Sequence, residues 1–124
     1  MASHKVPEPY VWDESFQTFY ARVDNDHIVL FEAIFDVHNQ PNSDSAVGHM
    51  EGVMAAHFNN EEKMMSAADY GGLAEHKKQH DHFMNVINEI RTPVHVGEIT
   101  FCKEWLVNHI KNTDFKYKGL LLEN

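Results

Sequence analysis

Residues 57–80 read HFNNEEKMMSAADYGGLAEHKKQH, and this stretch decides the fold. It places His57 and Glu61 four residues apart, and His76 and His80 four residues apart, on either side of a Gly-Gly turn. Residues four apart lie on one face of an α-helix, about one turn from each other, so each pair can reach a common centre. The stretch therefore predicts two neighbouring helices that each offer a chelating pair of metal ligands.

Three more ligand-type side chains lie on apolar helical stripes or at a helix end: His27, His109 and Asp114. Imidazoles and carboxylates on buried faces are costly unless they have partners, so the seven together predict a metal site in the interior. A single histidine on an apolar stripe is more often a hydrogen-bonded core residue. The other five histidines lie at segment ends or off the stripes and are predicted to be on the surface: His4, His38, His49, His82 and His95.

Apolar periodicity predicts four amphipathic helices with short connections, at about residues 15–37, 44–68, 73–90 and 96–112. The stripe of the first helix begins with Phe16, Phe19 and Tyr20, and Pro93 ends the third segment. We therefore expect an all-α protein, an up-down-up-down antiparallel four-helix bundle with an extended N-terminal arm and a short C-terminal tail. Residues 1–124 are expected to form a single domain.

The segments outside the regular helical pattern carry expectations of their own. Two prolines favour an extended path for the arm at residues 6–12, whose bulky Tyr10, Val11 and Trp12 are predicted to pack across the bundle. Three leucines at 120–122 are expected to fold back on the bundle or to contact another subunit.

The second predicted helix contains Gly48 and Gly52. Each glycine lowers the stability of the helix by roughly 1 kcal/mol relative to Ala, which close packing against a neighbour would justify.

Composition excludes several classes of partner. With 19 acidic against 10 basic residues and a net charge of −9, the chain has no basic stripe for nucleic acid or an anionic membrane. Its single Cys102 cannot form an internal disulfide, and the N-terminal residues lack the apolar core of a secretion signal. We therefore expect a cytoplasmic protein.

The donor set also bears on the kind of metal centre. Imidazole and carboxylate without thiolate suit iron, zinc or manganese. Seven protein ligands are too many for one ion. In a pair of six-coordinate ions, five histidines, two bridging carboxylates and one shared oxygen would fill all coordination positions except one. Such a centre, with no protein group placed for acid-base chemistry, suits the reversible binding of a small ligand.

Long motifs carry a resemblance to a known family. They are PEPYVWDESF at 7–16, HFNNEEKMM at 57–65, HKKQH at 76–80, CKEWLVNHIK at 102–111 and TDFKYKG at 113–119. In these motifs, which cover nearly the whole chain, the sequence resembles the hemerythrins. The resemblance implies reversible O2 binding for storage or transport, without enzyme activity. It also implies a monomer, although some members of the family form octamers.

The resemblance further implies a non-haem centre of two iron ions, Fe2+ or Fe3+, bridged by an oxo or hydroxo group and two carboxylates. O2 would bind end-on, as hydroperoxide, to one iron. The resemblance implies that His76, His80 and His109 bind the saturated iron. It implies that His27 and His57 bind the iron with the open position, and that Glu61 and Asp114 bridge the two irons.

Three apolar side chains near the ligands are predicted to wall the O2 pocket: Phe58, Trp105 and Leu106. Two other functions remain open. A di-iron oxidase or ferritin-like iron oxidiser is one alternative, although such bundles use Glu-x-x-His pairs and the sequence contains none. A protein that sequesters zinc or cadmium is the other. A zinc protease is disfavoured because the HKKQH motif lacks the glutamate that serves as general base.

Overall fold

The computed structural model describes residues 3–122, so Met1 and Ala2 of the segment examined for a secretion signal lie outside the described residues. Four α-helices follow one another: α1 (Ala21–Asn39), α2 (Asp44–Ala67), α3 (Leu73–Ile87) and α4 (Val96–Asn112). Short 3-10 turns at Glu14–Phe16 and Asp114–Tyr117 flank them. The predicted all-α fold is confirmed, and the bounds of α2 and α4 match the sequence pattern to within one residue.

The helices form an antiparallel bundle around one main apolar core. α1 packs against α2 and α4, and α2 packs against α3, whereas the backbones of α3 and α4 lie farther apart. The largest side chains without solvent contact come from all four helices and include Phe31, Met54, Phe83 and Ile110. Between residues 3 and 122 no helix combines the length and apolar character that crossing a membrane requires.

The predicted start of the first helix was wrong. Only Glu14–Phe16 forms a 3-10 turn there, and α1 begins at Ala21. The Asp24 carboxylate explains the break, because it accepts hydrogen bonds from the backbone N–H of Thr18 (2.8 Å) and Phe19 (3.1 Å) and from the Thr18 hydroxyl. Phe19 takes a φ of 73° and its side chain is 74% exposed, so it does not belong to the buried stripe.

The arm is ordered, but only part of its predicted packing occurs. Tyr10 is buried, stacks on Phe31 with ring centroids 4.7 Å apart, and donates its hydroxyl to the Lys103 carbonyl of α4 at 2.9 Å. Trp12 is half-buried against the core. Val11 was expected to pack as well and is 52% exposed, because side chains alternate in an extended segment and its neighbours take the inward positions.

The third helix ends at Ile87, earlier than predicted. Ile90, which was placed on the helical stripe, is buried but lies in a turn in which its N–H bonds to the Ile87 carbonyl at 3.1 Å. Pro93 disfavours a helical conformation in the residue before it, so the chain leaves the helix ahead of that position. The apolar pattern therefore predicted the burial of Ile90 correctly and its helical state incorrectly.

The tail folds back on the bundle through its middle leucine. Leu121 is buried, whereas Leu120 and Leu122 are exposed. The Tyr20 hydroxyl accepts hydrogen bonds from the backbone N–H of Gly119 (2.9 Å) and Leu121 (3.1 Å). Gly119 has a φ of 78°, a conformation that glycine adopts without steric cost, and this reversal directs Leu121 inward.

The two glycines of α2 are not explained by close packing. A Cβ built on Gly48 or Gly52 meets no other atom within 4 Å. Both residues are exposed, so close packing against a neighbouring helix does not justify them, and nothing else in the structure explains them.

His95 caps the N-terminus of α4. Its Nδ1 accepts a hydrogen bond from the Gly97 N–H at 2.9 Å, and Glu98 accepts one from the His95 N–H at 3.0 Å. We expect His95→Ala to lower the free energy of unfolding by about 1 kcal/mol, since the cap is lost. Urea denaturation measures this, with His49→Ala as the control on the exposed face of α2. Equal losses in the two variants would contradict the capping role.

Candidate metal centre

The seven predicted ligand residues come together in the interior of the bundle. Each helix supplies at least one of them, and each of the seven is at most 5% exposed. α1 contributes His27, α2 contributes His57 and Glu61, α3 contributes His76 and His80, α4 contributes His109, and the following 3-10 turn begins with Asp114. By contrast, His38, His49, His82 and His95 are exposed and His4 is half-buried.

All five imidazoles direct Nε2 at the two carboxylates. Glu61 Oε1 lies 3.1 Å from His76 Nε2 and 3.0 Å from His80 Nε2, and Glu61 Oε2 lies 3.5 Å from His57 Nε2. Asp114 is the other carboxylate. Its Oδ1 lies 2.9 Å from His76 Nε2 and 3.1 Å from His109 Nε2, and its Oδ2 lies 3.0 Å from His27 Nε2. The two carboxylates therefore stand between the histidines of opposite helices.

The ligand atoms divide into two overlapping sets, each within 4.8 Å of one another. One set contains three histidines and the other contains two, and both contain Glu61 and Asp114. Two sets that share their carboxylates can hold two neighbouring cations with both carboxylates as bridges. The first set comprises His76, His80 and His109, and the second comprises His27 and His57.

Three hydrogen bonds that the sequence pattern does not predict hold three of the imidazoles in this orientation. Asp26 Oδ2 lies 2.9 Å from His57 Nδ1, Glu62 Oε2 lies 2.9 Å from His80 Nδ1, and Gln79 Oε1 lies 3.0 Å from His109 Nδ1. A partner on Nδ1 fixes the ring and leaves Nε2 free for a metal. Each partner is adjacent in sequence to a predicted ligand of its own helix, but it contacts an imidazole of a different helix.

Tyr117 supports one carboxylate directly. Its buried hydroxyl donates a hydrogen bond to Glu61 Oε2 at 2.5 Å. Burial and the nearby carboxylates raise the pKa of Tyr117 well above its usual value, so the hydroxyl keeps its proton and remains a donor. This contact helps to hold the Glu61 carboxylate in place, and the Tyr117 ring also stacks on His76 with centroids 5.8 Å apart.

The charges of the centre compensate one another. Burial alone would lower the pKa of His57 and His76, but the Glu61 and Asp114 carboxylates and the Asp26 hydrogen bond raise these values to about 10 and about 9. Burial raises the pKa of each carboxyl, yet the surrounding histidines hold both below their usual range. The two carboxylates thus favour positive charge in the centre, which a metal cation can supply in place of protons.

Unpartnered atoms test whether the residues fit a metal. Several side-chain atoms are fully buried and form no hydrogen bond with any of residues 3–122, although each lies close to an oppositely charged group. They are His27 Nε2, His80 Nε2, Glu61 Oε1 and both Asp114 carboxylate oxygens. Buried polar atoms in such number are costly unless something else binds them. All of them point into the ligand sets, and their nitrogen and oxygen chemistry fits iron, zinc or manganese.

Two of the three predicted pocket residues contact ligand histidines, and the third is buried in the main core. Phe58 stacks on His80 with ring centroids 4.0 Å apart and also contacts His57 at 5.9 Å. Trp105 stacks on His109 at 4.4 Å, and Leu106 is 1% exposed within the main core. The two aromatic rings therefore cover the three-histidine set more closely than the sequence pattern suggested, and Phe58 also reaches the two-histidine set.

Comparison with known proteins gives a consistent result. Residues 18–121 match the family model described as the hemerythrin HHE cation binding domain. Myohemerythrin of Sipunculus nudus is 43% identical over 116 residues, which is 94% of this chain and 97% of that protein. Myohemerythrin-1 of Phascolopsis gouldii is 45% identical over 116 residues, with 94% and 98% covered. Hemerythrin subunit 1 of Golfingia vulgaris is 45% identical over 114 residues, with 92% and 95% covered.

The solved structures support the fold. A chain from a crystal structure of a mutant protein superposes with a TM-score of 0.79, covering 89% of this chain and 95% of the other. The two sequences are 24% identical, so the similarity bears on the architecture alone.

Proposed function

Because this chain belongs to the hemerythrin family, we propose that it binds O2 reversibly, for storage or transport, at a pair of iron ions in the bundle core. The observation that carries the proposal is the convergence of five imidazole Nε2 atoms on two shared, buried carboxylates. A bound iron pair supplies the two electrons that reversible O2 binding uses. The residues of this chain hold the ions and control what else reaches them.

The proposed ligand assignment follows the two overlapping sets. Three histidines and both carboxylates would hold one ion: His76, His80, His109, Glu61 and Asp114. His27, His57 and the same two carboxylates would hold the second ion, which would have one protein ligand fewer and therefore room for O2. We place the O2 pocket on that side, beside His27 and His57.

The surroundings of the centre favour reversibility. The Nδ1 partners hold three of the five ligand rings in place. The proposed wall is largely apolar: Phe58, which contacts both His57 and His80, the buried Leu106, and Trp105, whose ring stacks on His109. Water, protons and anions are therefore kept away from the oxidised state of the iron, which limits its conversion to a form that no longer binds O2.

Enzyme activity is not part of the proposal. The matched relatives bear the names of hemerythrins and myohemerythrins. The histidine-rich donor set also differs from the carboxylate-rich sets of di-iron oxidases and ferritin-like proteins.

We further propose that the chain acts as one domain over residues 1–124, in the cytoplasm, as a monomer. Its net charge of −9 disfavours nucleic acid and anionic membranes as partners. Light scattering distinguishes a monomer from an octamer.

The direct test combines iron content with optical spectra. The purified protein, reconstituted with iron under reducing conditions, is expected to hold two iron ions per chain. A visible absorption band should appear with O2 and disappear under vacuum through repeated cycles. A protein that binds zinc or cadmium in preference to iron, or that consumes O2 continuously with a reductant, would contradict the proposal.

Leu106→Asn is expected to speed the loss of O2-binding capacity in air by about tenfold or more. The amide brings a polar group and water into an apolar wall that is 1% exposed. Decay of the O2-dependent absorption band measures the rate. Val107→Asn serves as the control, because it buries the same amide one residue along α4, where the side chain points in a different direction. Equal decay in the two variants would remove Leu106 from the pocket.

A further inference from the structure

A cleft runs between α3 and α4, the two neighbouring helices whose backbones lie farther apart. Side chains bridge the gap: Phe83 stacks on Trp105 with ring centroids 3.9 Å apart, and Gln79 of α3 contacts His109 of α4. A cavity of about 530 Å³ lies in this cleft, and Gln79, Trp105 and His109 form part of its lining.

The cleft leads from solvent to the ligand set. Glu75 and Glu104 are exposed and line the same cavity, so its outer part carries two carboxylates. His109 forms part of the inner wall, and its Nε2 lies 3.1 Å from Asp114 Oδ1 in the centre. The His109 imidazole therefore contacts both the cavity and the buried Asp114 carboxylate.

The opposite side of the centre offers a poorer path for a cation. The cavity beside His57 measures about 120 Å³ and lies between α1 and α2, the closely packed pair. Four aliphatic side chains line it together with three polar ones: Val29, Leu30, Val53 and Ala56, with Asp26, His57 and Asn60. This cavity has less than a quarter of the volume of the α3–α4 cavity, and only one carboxylate lines it instead of two, so it gives a hydrated dication less room and less electrostatic attraction.

We propose that the α3–α4 cleft is the route by which hydrated ferrous iron reaches the centre, an inference that rests on the iron centre proposed above. Glu75 and Glu104 raise the local concentration of the cation at the outer end. Gln79 controls the inner end, since its Oε1 accepts a hydrogen bond from the Thr113 hydroxyl at 2.9 Å and contacts His109 Nδ1 at 3.0 Å. Release of these contacts frees the His109 ring to turn toward the cleft and take up the ion.

The test measures iron uptake by the metal-free protein. Ferrous iron is added without oxygen, uptake is stopped with a chelator at set times, and protein-bound iron is assayed after desalting. The variant Glu75→Gln/Glu104→Gln is expected to take up iron about fivefold more slowly at low ionic strength, with a smaller difference at high salt. Its final iron content should equal that of the unmodified protein.

The matched control is Glu32→Gln/Glu51→Gln, which removes the same charge from α1 and α2, outside the lining of the cleft. Its uptake rate should stay close to that of the unmodified protein. A steric variant, Asn108→Trp, fills the cleft that Asn108 lines and should slow uptake at every salt concentration.

The possible results distinguish failure of the proposed uptake route from failure of the proposed iron centre. Uptake by both cleft variants at the rate of the control would overturn the route and leave the iron centre intact. A lowered final iron content in the Glu75→Gln/Glu104→Gln variant at an unchanged uptake rate would also overturn it, because the carboxylates would then hold iron rather than guide it. Failure of the unmodified protein to bind two irons would instead overturn the iron centre.

Discussion

Replacing Glu61 with alanine is expected to reduce the iron content from two ions per chain to one or none and to abolish the O2-dependent spectrum. Glu61 belongs to both ligand sets, and three histidine Nε2 atoms lie within 3.5 Å of its carboxylate. No neighbouring side chain can take its place, since Tyr117 offers only a protonated hydroxyl. Iron analysis and visible spectra measure the loss.

Two companion variants make this result interpretable. Glu61→Gln preserves the volume and the Tyr117 hydrogen bond while it removes the charge, so circular dichroism should show an intact bundle with impaired iron binding. Glu62→Ala removes a carboxylate one residue away that hydrogen-bonds His80 Nδ1 and is outside both ligand sets. This variant should still bind two irons at saturation, with affinity about 10 to 100 times weaker. Full iron content and a normal spectrum in Glu61→Ala would exclude Glu61 as a bridge.

Removing iron is expected to lower the melting temperature by about 10 °C or more. The metal-free interior contains buried polar atoms without partners on Glu61, Asp114, His27 and His80, and iron binding to the folded state alone relieves that cost. A ligand at about 1,000 times its dissociation constant stabilises the folded state by about 4 kcal/mol, and each kcal/mol corresponds to several degrees in a domain of this size.

Calorimetry of the iron-loaded and chelator-treated protein measures this shift. The Glu61→Ala variant provides the control, because chelator should move its melting temperature much less when little iron is bound. Identical melting temperatures for the loaded and stripped protein would show that the cluster is stable without metal, contrary to the energetic argument for the centre.

Much of the architecture follows from local pattern. The apolar period of α2 and α4 predicted their bounds because a long amphipathic stripe has one favourable way to bury itself. The pattern was less informative near helix ends. Phe19 continues the helical spacing, yet the Asp24 carboxylate offers its backbone N–H a competing partner and the chain turns outward there.

The candidate ligands could be identified from the amino-acid sequence, and so could the pairing of His76 with His80, because spacing along one helix fixes which side chains share a face. The way the helices lie against one another is known only from the folded structure. That arrangement is the reason why the two ligand sets share Glu61 and Asp114. The contact of Asp26 with His57, 31 residues away, and the cleft beside His109 arise in the same way. Such contacts depend on the depth and register of packing between helices, which local periodicity does not specify.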